Sequence, residues 1–158
     1  MSNFVFFHNP DEENGYLSNW YLSDFAVNGR RFTSVEQYMM YSKAMTFQDI
    51  AIAQRIMFTY DVAEIKSLGR KVHNYVDEVW ASQRYDIVRT GVYYKFVYND
   101  KLRYELLRNT GKIFAECAVG DMIWGIGLSM IDSNRFDMSK WRGQNLLGKC
   151  INEVVSMF

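Results

Sequence analysis

A chain of 158 residues, 49% hydrophobic and 16% aromatic, carries enough apolar side chains for a core of its own and reads as a single domain over 1–158. Its 18 basic and 18 acidic residues cancel, so no broad positive field draws it to a nucleic-acid backbone or an anionic membrane, and any phosphate contact has to be local. Cys117, Cys150, His8 and His73 share no metal-ligand spacing, which argues against a zinc enzyme and leaves a reducing cytoplasm as the expected compartment.

The first eight residues have neither a cationic region nor a long apolar stretch, so no signal peptide or membrane span is expected. Phe4 to Phe7 is a short apolar run of strand type. Between Phe25 and Phe32, Asn28 and Gly29 supply the positive φ of a tight turn, which predicts a small antiparallel hairpin. Thr33 or Ser34 then offers an oxygen to a helix start, with Glu36 or Gln37 in capping-box register. Helical patterns follow at about 48–58, at 62–68 with Gly69 as a left-handed stop, at 76–98 and at 100–108. Ile113 to Cys117 reads as a strand. The glycines of 120–127 suit a loop lying against a ligand, and a last amphipathic helix spans about 145–157. The sum is a mainly helical α+β domain.

The densest chemical signal is the pair Glu36 and Lys43. Seven residues of helix leave a phase error of only about 20° and a rise of about 10 Å, so a carboxylate and an amine share one flank. The plainer readings are a capping glutamate and a solvated lysine; burial among apolar groups would instead depress the lysine's pKa. Trp80 and Trp124 are flat surfaces of the kind that stack on a base, or simply core. Trp124 stands among Asp121, Gly125 and Gly127, where small residues admit a ligand and an aspartate accepts sugar hydroxyls, or where a tight turn covers a tryptophan. Met130 occupies the place of a third glycine, so no dinucleotide fingerprint is present. Residues 141–145 join Arg142 to the start of the last helix, a combination suited to a phosphate or to plain capping by Asn145.

Gly15 to Trp20, the hairpin leading into Ser34 to Ala44, Leu68 to Arg70, Trp80, Lys95-Phe96, Leu106 to Gly111, Ala115-Glu116, Asp121 to Gly127 and Trp141 to Gly148 occur in the order seen in the NADAR, or YbiA-like, family. The resemblance spans nearly the whole chain and implies a single YbiA-like domain. It also implies an N-glycosidase that parts a nitrogenous base or amine from a ribose carbon, without cofactor or metal. Substrates of the family include phosphoribosylamino-pyrimidine intermediates of riboflavin synthesis and, in other branches, ADP-ribose on guanine. By that resemblance Glu36 is the acid/base and Lys43 the lysine for which a Schiff-base role is proposed. Asp121 fixes ribose hydroxyls or a water. Ser18, Asn19, Trp80, Trp124 and Asn145 match substrate-pocket positions, and Gly125 and Arg142 join them as expected substrate-binding residues from their own sequence context. Many members carry histidine and glutamine where this chain has Gln37 and Met40, a departure that bears on the substrate subclass.

The expected partner is therefore a small ribosyl or nucleotide substrate, with ADP-ribosylated guanine in a nucleic acid as the alternative. A different class of function, a reader that binds ADP-ribose without cleaving it, would show the same pocket residues. A scaffold packed by aromatic side chains is the third reading.

Overall fold

A computed structural model describes residues 2–158 as two compact units, one formed by Leu22–Asp100 and the other by the residues up to Tyr21 together with Lys101–Phe158. Each is described by itself.

In the first unit, β2 (Phe25–Val27) and β3 (Arg30–Phe32) form the antiparallel hairpin, with Phe25 opposite Phe32. Asn28 and Gly29 both take positive φ, 50° and 80°, as a two-residue turn between right-twisted strands requires. Ser34 caps α1 (Val35–Thr46), its hydroxyl accepting from the Gln37 amide at 3.0 Å. Gln37 reaches back one residue further than a capping box, its Oε1 accepting from the Thr33 amide at 2.8 Å. Its Nε2 donates to the carbonyls of Ile56 and Thr59, so one buried amide ties the start of α1 to the end of α2 (Ile50–Met57).

Two further helices complete this unit, α3 (Val62–Gly69) and α4 (Asp77–Val97). The latter runs back along α1: Thr46 at the end of α1 meets Gln83 near the start of α4, while Val35 and Tyr38 near the start of α1 face Gly91. Gly69 corrects the expectation of a left-handed stop. It is the last residue of α3 without a positive φ, and Arg70 follows at −74°. Its value lies on its missing side chain, because a Cβ there would collide with the sulfur of Met40.

In the other unit β1 (Phe4–Phe7) pairs in parallel with β4 (Ile113–Glu116), Phe4 opposite Ile113 and Phe7 opposite Glu116. A parallel pair buried on both faces reads as a continuous apolar run, and Val5, Phe6, Phe7, Phe114 and Ala115 are all buried. The helices are α5 (Asp100–Leu107), which begins at the last residue of the first unit, and α6 (Leu146–Ser156). Among the described residues β4 has no strand on its other edge, and two asparagines stand in for one. Asn152 donates to the Lys112 carbonyl and accepts from the Phe114 amide; Asn145 donates to the Phe114 carbonyl and accepts from the Glu116 amide. The edge that would recruit a foreign strand is thereby satisfied. Among the described residues no helix is long and apolar enough to cross a membrane.

The approach of α6 to β4 depends on Gly148, where a Cβ would overlap the Phe114 carbonyl and the Asn145 amide. Gly148→Ala is expected to cost about 1–3 kcal/mol by overpacking against backbone. Gly120→Ala, at a position with nothing within 4 Å of the added methyl, should stay within about 0.5 kcal/mol. Urea titration of the two variants measures the difference.

Candidate functional site

The start of α1 is closed by Ser34 and Gln37, so the helix does not need Glu36 as its cap. Glu36 is nevertheless 5% exposed, an unusual place for a carboxylate. Lys43, two turns on, is half-buried, and burial lowers its pKa below the ordinary lysine value. The Glu36 charge opposes that shift, and the nearby Arg70 guanidinium adds to it. A carboxylate and an amine on one helix thus feel each other's charge while water is partly withdrawn. The amine lies 4.6 Å from the centroid of the Tyr75 ring.

Trp80, on α4, is 6% exposed, which leaves little ring surface for a base and matches the core reading. Gln37 and Met40, where the chain departs from the family pattern, are both spent on packing. The first makes the ties described above, and the second fills the space over Gly69.

The other predicted residues belong to the second unit. Asp121 forms a turn on itself, Oδ1 accepting from the amides of Ile123 and Trp124 at 2.9 and 2.8 Å. That leaves the second oxygen for another donor. Trp124 is half-buried and more open than Trp80. Gly125 does not make room for a ligand: a Cβ there would lie 2.9 Å from the Glu116 carbonyl and 3.2 Å from that of Asp121, so the space belongs to the protein's own backbone.

The phosphate cradle expected at residues 141–145 is corrected in the same way. The amides of Arg142 and Gly143 donate to the Ile126 carbonyl, Gln144 to Met122, Asn145 to Gly125, Leu146 to Ile123 and Leu147 to Trp124. No amide of that run is left to point at an anion. Asn145, at φ 54°, makes no side-chain cap either, because its amide group is bound to β4. The Arg142 side chain is exposed. Ser18 and Asn19 are both buried; the Ser18 hydroxyl accepts from the Trp20 amide, while the side-chain oxygen of Asn19 is buried without a hydrogen-bond partner among the described residues. A buried acceptor left unmet costs free energy unless a ligand meets it.

Sequence reasoning missed Tyr75, which lies 32 positions beyond Lys43 with no local pattern to link them, and it missed Lys95 as a titratable group. Lys95 is 1% exposed and its pKa is pushed down to about 7 by burial. A signal for it exists, since Lys95 continues the buried stripe Val88, Gly91, Val92, Phe96 at helical spacing.

Comparison with known proteins gives one consistent direction. The NADAR domain family matches residues 5–157. A protein of Acanthamoeba polyphaga mimivirus named N-glycosidase R617 is 36% identical over 159 residues, covering 96% of this chain and 94% of the viral protein. Protein irg-1 of Caenorhabditis elegans is 35% identical over 78% of this chain, which spans 59% of the nematode protein. A riboflavin biosynthesis protein of Vibrio vulnificus (strain YJ016) is 28% identical over 78% of this chain and 33% of its own length. The solution structure of the Escherichia coli protein YbiA shares the fold, with TM-score 0.80 and 22% identity over 99% of this chain and 86% of YbiA.

Two outcomes separate structure from chemistry around these residues. Asp121→Asn keeps an acceptor for Ile123 and Trp124 and should retain stability, whereas Asp121→Ala should lose about 1–2 kcal/mol in chemical denaturation. Asp49, buried at the start of α2, has its carboxyl held below the usual range first by the His73 amide, then by the His73 ring and the Ile52 amide. Because the folded value is the lower one, its stabilisation is complete above the unfolded carboxyl value of about 4 and is lost as pH falls through the folded value. Wild type and Asp49→Asn should therefore differ most in urea midpoint above about pH 5 and converge only as pH falls from about 4 through the lower folded value.

Proposed function

The chain belongs to the NADAR domain family, and from that premise we propose that it is an N-glycosidase acting on a bond between a ribose carbon and a nitrogen. The observation that carries the reading is the pair on α1: a buried carboxylate and a half-buried amine of lowered pKa, electrostatically coupled, in a helix whose capping is done by other residues. Cleavage breaks the bond from C1′ to nitrogen with its electron pair leaving on nitrogen. Glu36 gives that nitrogen its proton and then takes one from the water that replaces it at C1′.

Where the substrate carries an exocyclic amine and its ribose can open, Lys43 supplies a second route. Its neutral form adds to C1′, the substrate amine departs with the proton from Glu36, and water hydrolyses the resulting imine to free sugar and free lysine. Lowering the amine's pKa enlarges the neutral fraction available for that addition. Asp121 and Asn19 are assigned to the substrate by the family resemblance; within their own unit Asp121 has a carboxylate oxygen not used in its turn and Asn19 an acceptor unmet among the described residues. Trp124 is assigned to the base by the family resemblance and its partial exposure.

For the substrate we favour phosphoribosylamino-pyrimidines, in line with the name of the Vibrio relative. ADP-ribosylated guanine is the alternative. Incubating the protein with both and following release of free base by chromatography tests the proposal. Release in proportion to protein from one of them is expected, and binding without release from either would make the protein a reader instead. Glu36→Gln should lower turnover by roughly a hundredfold or more while substrate binding is largely kept. Borohydride should trap a sugar adduct on wild type and none on Lys43→Ala.

A further inference from the structure

The Tyr75 ring has no part in the chemistry proposed above, yet the first unit spends several interactions on holding it over Lys43. The 4.6 Å from Nζ to the ring centroid is within the range of attraction between a cation and an aromatic face. The hydroxyl donates to Asp77 Oδ1 at 2.7 Å, and the Phe47 ring packs against Tyr75 at 5.3 Å and 62°. Phe47 is buried at the end of α1, one turn past Lys43. Two residues before Tyr75, the His73 amide donates to Asp49 Oδ2 at 2.9 Å and Nδ1 of its ring lies 2.8 Å from the same oxygen. Asp49 Oδ1 in turn accepts from the Ile52 amide at the start of α2. The connection from α3 to α4 is thus fastened on both sides of the ring, by His73 before it and Asp77 after it.

We propose that Tyr75 is a positioning residue for Lys43, its ring face fixing the amine in place and favouring positive charge on that nitrogen. The inference rests on the role given to Lys43 above. The groups around the amine divide by sign. Glu36 on the same helix and the Tyr75 face favour the cation; Arg70 at the end of α3 and the withdrawal of water disfavour it. Asp77 addresses the ring hydroxyl. An amine that attacks carbon is neutral beforehand and cationic once its lone pair has formed the bond to C1′. Relative to the neutral amine, a ring face already set over Nζ stabilises the second condition more than the first, which lowers the barrier to attack once the amine is deprotonated.

Tyr75→Phe and Tyr75→Leu separate the ring from the bulk, and because the side chain is 41% exposed neither should unfold the protein. The Lys43 titration, followed by NMR on lysine-labelled protein without substrate, should keep its midpoint in Tyr75→Phe and fall by about half a pH unit in Tyr75→Leu. In turnover on whichever N-riboside the wild type cleaves, measured above the Lys43 midpoint where the amine is neutral in all variants, Tyr75→Phe should match wild type, while Tyr75→Leu should lose roughly two- to fivefold in kcat with KM little changed. An unmoved titration in Tyr75→Leu would overturn the contact, and a moved titration with unchanged kcat would overturn the positioning role. Failure of the underlying reading looks different: Lys43→Ala would turn over normally while the Tyr75 variants still shift the Lys43 titration.

Discussion

The geometry of α1 depends on how closely two other helices approach it, and in both cases a missing side chain sets the distance. Over Gly69 of α3 lies the sulfur of Met40, and over Gly91 of α4 lie Tyr38, which would meet an added Cβ at 2.8 Å, and Val35 at 3.3 Å. Interiors are packed densely enough that a single added methyl at such a contact displaces its neighbours. On the helix so held, Glu36 is nearly covered and Lys43 half covered. The lowered pKa of the amine follows first from that burial, with Arg70 at the end of α3 adding to it.

A second constraint governs the other unit, where backbone meets backbone. The amides of the run 142–147 donate to carbonyls of the loop 121–126, and the Ile126 amide donates to the Glu116 carbonyl of β4. Glycine at 125 is needed because carbonyls of the same unit crowd it. This changes the meaning of a glycine-rich stretch. Read from composition, such glycines admit a ligand; read from the structure, Gly125 admits backbone of its own unit.

What was legible in the sequence was whatever is decided locally. The cap at Ser34, the turn at Asn28-Gly29 and the apolar periods of the helices lie within a few residues of what they specify, and the element boundaries follow them closely. The α+β class followed from the same patterns. What was not legible was long-range. Phe4–Phe7 announces a strand but not that Ile113–Glu116 is its parallel partner, because more than a hundred residues intervene and the run is apolar on both faces. The shared helix of Glu36 and Lys43 could be read from spacing. The depth of their burial could not, since tertiary packing sets it. Asn145 shows the same limit in reverse, because an asparagine before a helix is a capping signal, yet here the side chain satisfies the open edge of β4.

The balance of charge around Lys43 gives the proposed chemistry its direction. A lysine wholly withdrawn from water and left to itself would be neutral and able to attack, but its cationic product would have little to stabilise it; a fully solvated one would be protonated and inert at neutral pH. Half-burial with Arg70 on one side, and Glu36 with the Tyr75 face on the other, lies between these extremes. All of these influences act on whichever charge state the nitrogen carries: burial and Arg70 favour the neutral nucleophile and disfavour the cation that follows attack, while the carboxylate and the ring do the reverse, so their balance sets the pH above which the proposed attack is available. Lys95, 1% exposed and with its amine 5.4 Å from the Phe96 ring centroid, has its pKa pushed down to about 7 by burial, so a shifted pKa beside an aromatic face does not by itself mark a lysine for chemistry.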